Sequence, residues 1–238
     1  MHTQINHSVT DSHHASLSIY GNPAANHGPM LTLLAGWFAF IFTLAAVGIF
    51  ERPPGSPPLP IIIAVAIPIL GFFFLYATQE RFRRHVFSLD LRLLTIVHAW
   101  GTVRFTFVLL HMRDALPGLF AWPAGLGDIA VAITAPGILF ALLKSPGFAT
   151  SSRFIWWHVL GLVDFVAAVG TGVLPSGAFA TLYQPTVTSS PVAEMPLVLI
   201  PAFFVPLWTI THFAAIFKAL RLRQERPDVA WDGVPGSA

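Results

Sequence analysis

The sequence contains no cysteine and few charged residues. The absence of cysteine excludes disulfides, thiolate metal sites and a cysteine nucleophile. Asp, Glu, Lys and Arg make up only 10% of the chain, against about 25% in an average soluble domain. The net charge of +2 is too small to indicate a nucleic-acid partner. The motifs of P-loop ATPases, zincin proteases and α/β-hydrolases are missing as well, so the sequence offers no support for those activities.

Hydrophobic residues are abundant instead, at 55% of the 238 residues, with a mean hydropathy of +0.69. They are concentrated in six runs, each near the roughly 20 residues that a helix needs to cross the hydrocarbon of a bilayer. The runs cover residues 30–50, 59–77, 93–112, 125–143, 154–174 and 195–220. Backbone groups in lipid must be paired within their own segment, so the runs are expected to be helices. The sequence therefore predicts an all-α, polytopic integral membrane protein built as a six-helix bundle.

The polar segments divide the chain into three parts. Residues 1–29 form a polar N-terminal tail, expected to be flexible, and 30–220 form the six-span transmembrane domain. Residues 221–238 form a C-terminal tail, expected to be cytoplasmic. Half of the histidines lie in the N-terminal tail, where we expect them to be solvated: His2, His7, His13, His14 and His27.

The distribution of Lys and Arg predicts the orientation. With both termini in the cytoplasm, the inner segments hold ten of these residues and the outer segments two. The positive-inside rule therefore favours an N-in, C-in topology, and we expect the location to be a bacterial cytoplasmic membrane.

Spans 3 and 5 resemble each other, which indicates an internal repeat. When His98 is aligned with His158, the two stretches read H-A-W-G-T-V-R-F and H-V-L-G-L-V-D-F. A Leu-Pro pair follows in both cases, and an internal proline lies in the next span. This pattern predicts repeated helical hairpins formed by spans 3–4 and 5–6, while membership of spans 1–2 stays open.

Ionisable residues inside the spans are the candidate site. An unpaired Arg in hydrocarbon costs about 3 kcal/mol or more, so Arg104, near the middle of span 3, needs a partner. Asp164 lies at a matching depth in span 5 and is the expected one. Asp128, placed near the outer end of span 4, is the alternative. Arg104 and its carboxylate partner are expected to form either a static ion pair or a binding site for an ion or small polar solute.

Three histidines form a second layer, nearer the cytoplasm: His98, His158 and His212, in spans 3, 5 and 6. Two of them can ligate a haem of the b type, or all three can hold a metal such as zinc with one position open. The plain alternative is that each donates a hydrogen bond across helices.

Prolines and glycines predict irregular and closely packed helices. Pro201 and Pro206 are expected to kink span 6, and such broken helices often gate or line sites. Gly161, Gly170 and Gly172 are expected to allow close approach to span 5.

The leading functional hypothesis is a small permease or channel-like protein with a midplane Arg/Asp site. The alternatives are a haem-binding membrane cytochrome and a non-catalytic membrane subunit whose partner binds the Arg-rich loop 81–92. Whether the protein is an enzyme, for example one using the histidine layer on a lipid or quinone, stays open. So does assembly as a homo-oligomer or with a partner membrane subunit.

Overall fold

The computed structural model describes residues 19–21, 28–53, 55–176, 178–179, 182–183 and 186–225. Within these ranges the chain is helical and has no strand. Most of both predicted tails, including the five tail histidines, lies outside the described residues.

Six helical segments in the described part of the chain are long and apolar enough to cross a membrane, which confirms the predicted number. Spans 1 to 6 cover Gly28–Ala46, Leu59–Thr78, Leu91–His111, Gly118–Lys144, Ser152–Ser176 and Ile200–Gln224. Large apolar side chains such as Leu33, Ile67 and Val166 are exposed on the outside of the bundle. A continuous apolar exterior is unfavourable in water and is typical of a protein embedded in lipid.

The largest differences from the predicted span boundaries are at the starts of spans 4 and 6, and they matter for the site. Span 4 begins at Gly118, seven residues before the predicted start, because the helix continues through Pro123 near its N-terminal end. Span 6 begins at Ile200 instead of residue 195 and continues to Gln224. Its π-helical segment, Ile200–Phe204, precedes the α-helix Val205–Gln224.

Span 3 is not a continuous α-helix. It consists of an α-helix at Leu91–Ile96, a 3₁₀ helix at Val97–Arg104 and an α-helix at Phe105–His111. A 3₁₀ run of eight residues is uncommon, because the geometry normally persists for only about 3–4 residues.

The 3₁₀ geometry sets the positions of the polar side chains in span 3. With about three residues per turn, His98, Gly101 and Arg104 lie on one face, and all three are buried. An α-helix would rotate Arg104 by about 120° from His98. The 3₁₀ geometry therefore places these two residues on a common face of span 3.

Spans 3 to 6 form the centre of the bundle, and span 6 is the most buried of the six. Spans 1 and 2 pack on the outside, with Ile41 and Ala45 of span 1 against Ala202 and Phe203 of span 6. The segment between spans 2 and 3 forms a short basic helix, Glu80–Ser88, which buries Val86 and leaves Arg81 and Arg84 exposed. The central polar groups thus lie among spans 3 to 6.

Candidate functional site

A cavity of about 350 Å³ enters the bundle from the end where loops 51–58 and 175–194 lie. Its mouth carries polar residues, including Glu51, Arg52 and Glu194. Its walls are mostly apolar and come from spans 2, 3, 4, 5 and 6. At its deep end it is lined by Arg104 and Asp128. The cavity therefore connects one end of the bundle with the charged groups at its centre.

Arg104 pairs with Asp128, the alternative partner from the sequence, and the two side chains form a buried ion pair. The early start of span 4 explains the choice. Asp128 lies ten residues after Gly118, which corresponds to about 15 Å along the helix and brings it to the depth of Arg104. Small residues, Gly101 on span 3 and Ala132 on span 4, let the two spans approach closely around the pair.

Aromatic rings surround the Arg104 guanidinium on its other sides. Its central carbon lies 4.1 Å from the ring centroid of Trp208 and 5.0 Å from that of Phe165. The Trp208 indole is itself fixed, since its Nε1 donates a hydrogen bond of 3.2 Å to the carbonyl of Val97. Arg104 Nε is buried and has no hydrogen-bond acceptor among the described residues. The guanidinium is thus enclosed by two aromatic rings and one carboxylate.

Asp164, the expected partner of Arg104, lies next to the pair and is only partly buried. Phe154, His158, Gly161 and Phe165 form the buried face of span 5, at α-helical spacing. Asp164 is about 120° from His158 on this helix, and its carboxylate packs against the backbone of span 4 at Gly127. Its side chain is close enough to that of Asp128 for the two carboxyl groups to interact. The centre therefore holds one guanidinium and two carboxyl groups.

The three histidines of spans 3, 5 and 6 come together, as their equal depth in the sequence suggested. The candidate ligand nitrogens of His98, His158 and His212 all lie within 4.8 Å of one another. None of the three side chains is more than 2% exposed. The Nδ1 atoms of His158 and His212 are 2.7 Å apart and share a hydrogen bond. The ring of His98 stacks on that of His212 with 3.7 Å between centroids.

Ring stacking also bears on the haem hypothesis. Bis-histidine ligation requires two imidazoles on opposite faces of a porphyrin. Here the rings of His98 and His212 are in face-to-face contact, so this pair would have to separate to admit a porphyrin. The packing thus suits a single ion better than a haem, and haem binding stays a prediction.

Span 6 is irregular at Pro201, where its first residues form the π-helical segment. Pro201 lines the cavity, whereas Pro206 lies at the start of the following α-helix. A π-helical segment of this kind is frequent at functional sites. The gating role of these prolines stays a prediction.

Sequence reasoning missed several residues that shape the site. Trp208 has no motif that links it to Arg104, since the two are remote in sequence. A Cβ at Gly127 would overlap the Asp164 carboxylate, and one at Gly161 would overlap the His212 imidazole.

The prediction of close helix approach thus fits Gly161, whereas nothing lies within 4 Å of a Cβ at Gly170. Lys218, counted with the cytoplasmic charges, is buried and its Nζ donates to the Leu89 carbonyl.

The repeat relating spans 3–4 to 5–6 stays a prediction. The aligned histidines, His98 and His158, do meet in one cluster. Their helices differ, however, because His98 lies in a 3₁₀ segment and His158 in an α-helix.

Comparison with known proteins relates most of the chain to a protein family. The family described as Domain of unknown function (DUF8737) matches residues 58–221. No curated protein and no solved structure matches the chain. The matched region contains spans 2 to 5 and span 6 up to residue 221, and so includes the ion pair, Asp164 and the three clustered histidines. The chain belongs to the family described as Domain of unknown function (DUF8737).

Proposed function

We propose that the protein is a small permease or channel-like protein of a bacterial cytoplasmic membrane. In this proposal an ion or small polar solute enters the cavity and binds at Arg104, Asp128 and Asp164. The observation that carries the proposal is that one cavity is lined both by the terminal loops of the bundle and by its buried ion pair. A purely structural ion pair needs no such opening.

The orientation follows from the charges. The cavity mouth is formed by loops 51–58 and 175–194, which together carry a single Lys or Arg. The positive-inside rule places both loops outside, with the two termini in the cytoplasm. The cavity therefore opens to the outside in this arrangement.

The central charges favour a solute with a positive group. When ionised, two carboxylates and one guanidinium sum to one negative charge, which is costly in an apolar interior. A bound cation, or a proton shared by the two carboxyl groups, removes that cost. The apolar walls favour a solute that also has an apolar part. Pro201, on the wall, places the irregular part of span 6 where a gating movement would change the width of the cavity.

Transport by purified protein in liposomes tests the proposal. We expect uptake of at least one member of a panel of inorganic cations and small amines. In the double variant Arg104→Met with Asp128→Leu, uptake falls about tenfold or more, because a hydrogen bond to a charged group contributes about 1.5–3 kcal/mol.

The matched control removes the exposed ion pair between Arg221 and Glu225 at the end of span 6. Arg221→Gln with Glu225→Gln leaves uptake unchanged, since this pair is remote from the cavity. Equal uptake by the wild-type protein and the Arg104/Asp128 variant, or no uptake above empty liposomes for any member of the panel, argues against the proposal.

A further inference from the structure

The three-histidine cluster is separate from the cavity. None of His98, His158 and His212 lines the cavity, and each comes from a different span. Their exposed fractions of 2%, 0% and 0% show that bulk solvent does not reach their ring nitrogens. The permease proposal gives these side chains no role.

The hydrogen bonding within the cluster is incomplete. Between two neutral imidazoles, the Nδ1 of one donates and the Nδ1 of the other accepts. One ring then has a lone pair at Nε2 and the other an N–H. The Nε2 atoms of His158 and His212 are both buried and have no partner among the described residues. Buried polar groups are normally satisfied, so two orphaned atoms in one cluster indicate a further partner, such as a bound ion or an ordered water.

The geometry is close to that of a metal site. Zinc with Zn–N bonds of about 2.0–2.1 Å holds tetrahedral nitrogen ligands about 3.3 Å apart. The candidate ligand atoms of the three rings lie within 4.8 Å of one another, so small ring rotations bring them to that spacing. Imidazole nitrogens favour zinc, copper, nickel and iron over magnesium and calcium.

Aromatic rings and one hydroxyl group surround the cluster, and the Thr211 hydroxyl oxygen lies 3.4 Å from His98 Nε2. The Trp157 ring lies 4.8 Å from that of His158 and 5.7 Å from that of His98. Phe165 packs 5.6 Å from His212, between ring centroids. Gly161 leaves space for the His212 imidazole that any side chain would fill.

The nearby charges favour a cation despite the presence of Arg104. Arg104 lies close enough to His98 and His212 to interact with both electrostatically. Its charge is offset by its ion pair with Asp128, and Asp164 adds a further carboxyl group to the same neighbourhood. The net charge of Arg104, Asp128 and Asp164 together is thus zero or negative, which favours a cation in the histidine cluster.

We propose that His98, His158 and His212 bind one transition-metal ion, best matched by zinc, with a fourth coordination position left open. Bound there, the ion links span 3 to spans 5 and 6. Three protein ligands with one open position are typical of zinc sites that bind an exogenous ligand or water.

Zinc binding to the purified full-length chain tests this inference. The protein is made without an affinity tag, and the five tail histidines are replaced by Asn so that they cannot bind the metal. After treatment with EDTA and reloading with Zn²⁺, we expect about one zinc per chain, the stoichiometry of a mononuclear site. X-ray absorption is expected to show three imidazole ligands, and zinc is expected to raise the midpoint of thermal unfolding.

Two variants separate ligation from folding. His158→Gln lowers the zinc affinity by about 100-fold or more, since even loss of an outer-shell partner costs 10–100-fold. His85→Gln, on the basic helix, is the matched control and retains full binding. Size-exclusion profiles identify a variant that fails to fold. In that case X-ray absorption of the parent protein shows whether three imidazoles bind the zinc.

Three results overturn the inference. The first is no zinc above the blank in the parent protein. The second is that well-folded His158→Gln binds as much zinc as the parent protein does. The third is a Soret band with one haem per chain, which would assign the histidines to haem iron. None of these results depends on whether the protein transports a solute.

Discussion

Arg104→Met alone is expected to lower the free energy of unfolding by about 3–5 kcal/mol, because it leaves the Asp128 carboxylate as an uncompensated buried charge. The two side chains are only 4% and 2% exposed, so water cannot replace the lost partner. Asp128→Leu alone should have a similar or smaller effect, since it removes the ion-pair partner of the guanidinium and leaves only the neighbouring Asp164 carboxyl group. The measurement is equilibrium unfolding of the purified protein in mixed micelles.

The double variant separates the ion pair from the packing. Arg104→Met with Asp128→Leu replaces the pair by apolar side chains, a change that is often neutral or stabilising in a buried site. We therefore expect the double variant to be more stable than either single variant, with a coupling energy of about 2 kcal/mol or more. A reference double-mutant cycle on the exposed Arg221–Glu225 pair should give a coupling energy of about 0.3–0.5 kcal/mol. Additive effects at Arg104 and Asp128 would contradict the observed pairing.

Gly161→Ala is expected to destabilise the protein by about 1–3 kcal/mol, the usual cost of an overpacked site. The new methyl group would overlap the His212 imidazole, which is buried and stacked on His98. Moving His212 also breaks its 2.7 Å hydrogen bond to His158. The same unfolding measurement reports the change.

Gly170→Ala is the matched control on the same helix. Nothing lies within 4 Å of a Cβ at Gly170, so the substitution is neutral or gains up to about 1 kcal/mol from helix propensity. If the two variants were equally stable, the close approach of His212 to span 5 would be wrong.

The sequence predicted the class and the number of helices because both follow from the solvent. Runs such as 59–77 are too apolar for water and have the length of a bilayer crossing, so their structure needs no tertiary information. The depth of a residue also follows from counting along a helix. Counting along the helices predicts an equal depth for His98, His158 and His212, and the three side chains do meet.

The partner of Arg104 could not be predicted, because it depends on two features that lack a local signal. Span 4 continues through Pro123 and thereby places Asp128 at mid-depth. Span 3 adopts 3₁₀ geometry and thereby turns Arg104 onto the face of His98. Helix starts and helix type are set by packing against neighbours as well as by local sequence, so a count of residues along an ideal α-helix misplaces both side chains.

The central claim is that a water-accessible path leads from the outside to the buried ion pair, and cysteine labelling tests it most directly. The natural chain has no cysteine, so each variant carries one reporter thiol. Ala168, one helical turn from Asp164, lines the cavity, whereas its neighbour Ala167 is exposed on the bundle and does not line it.

Sealed right-side-out vesicles are treated with a membrane-impermeant, positively charged thiol reagent. We expect Ala168→Cys to be modified from the outside and Ala167→Cys, facing lipid, to stay unmodified. Equal protection of both thiols, or modification of Ala168→Cys only from the cytoplasmic side, would contradict an outward-facing path to Arg104 and Asp128.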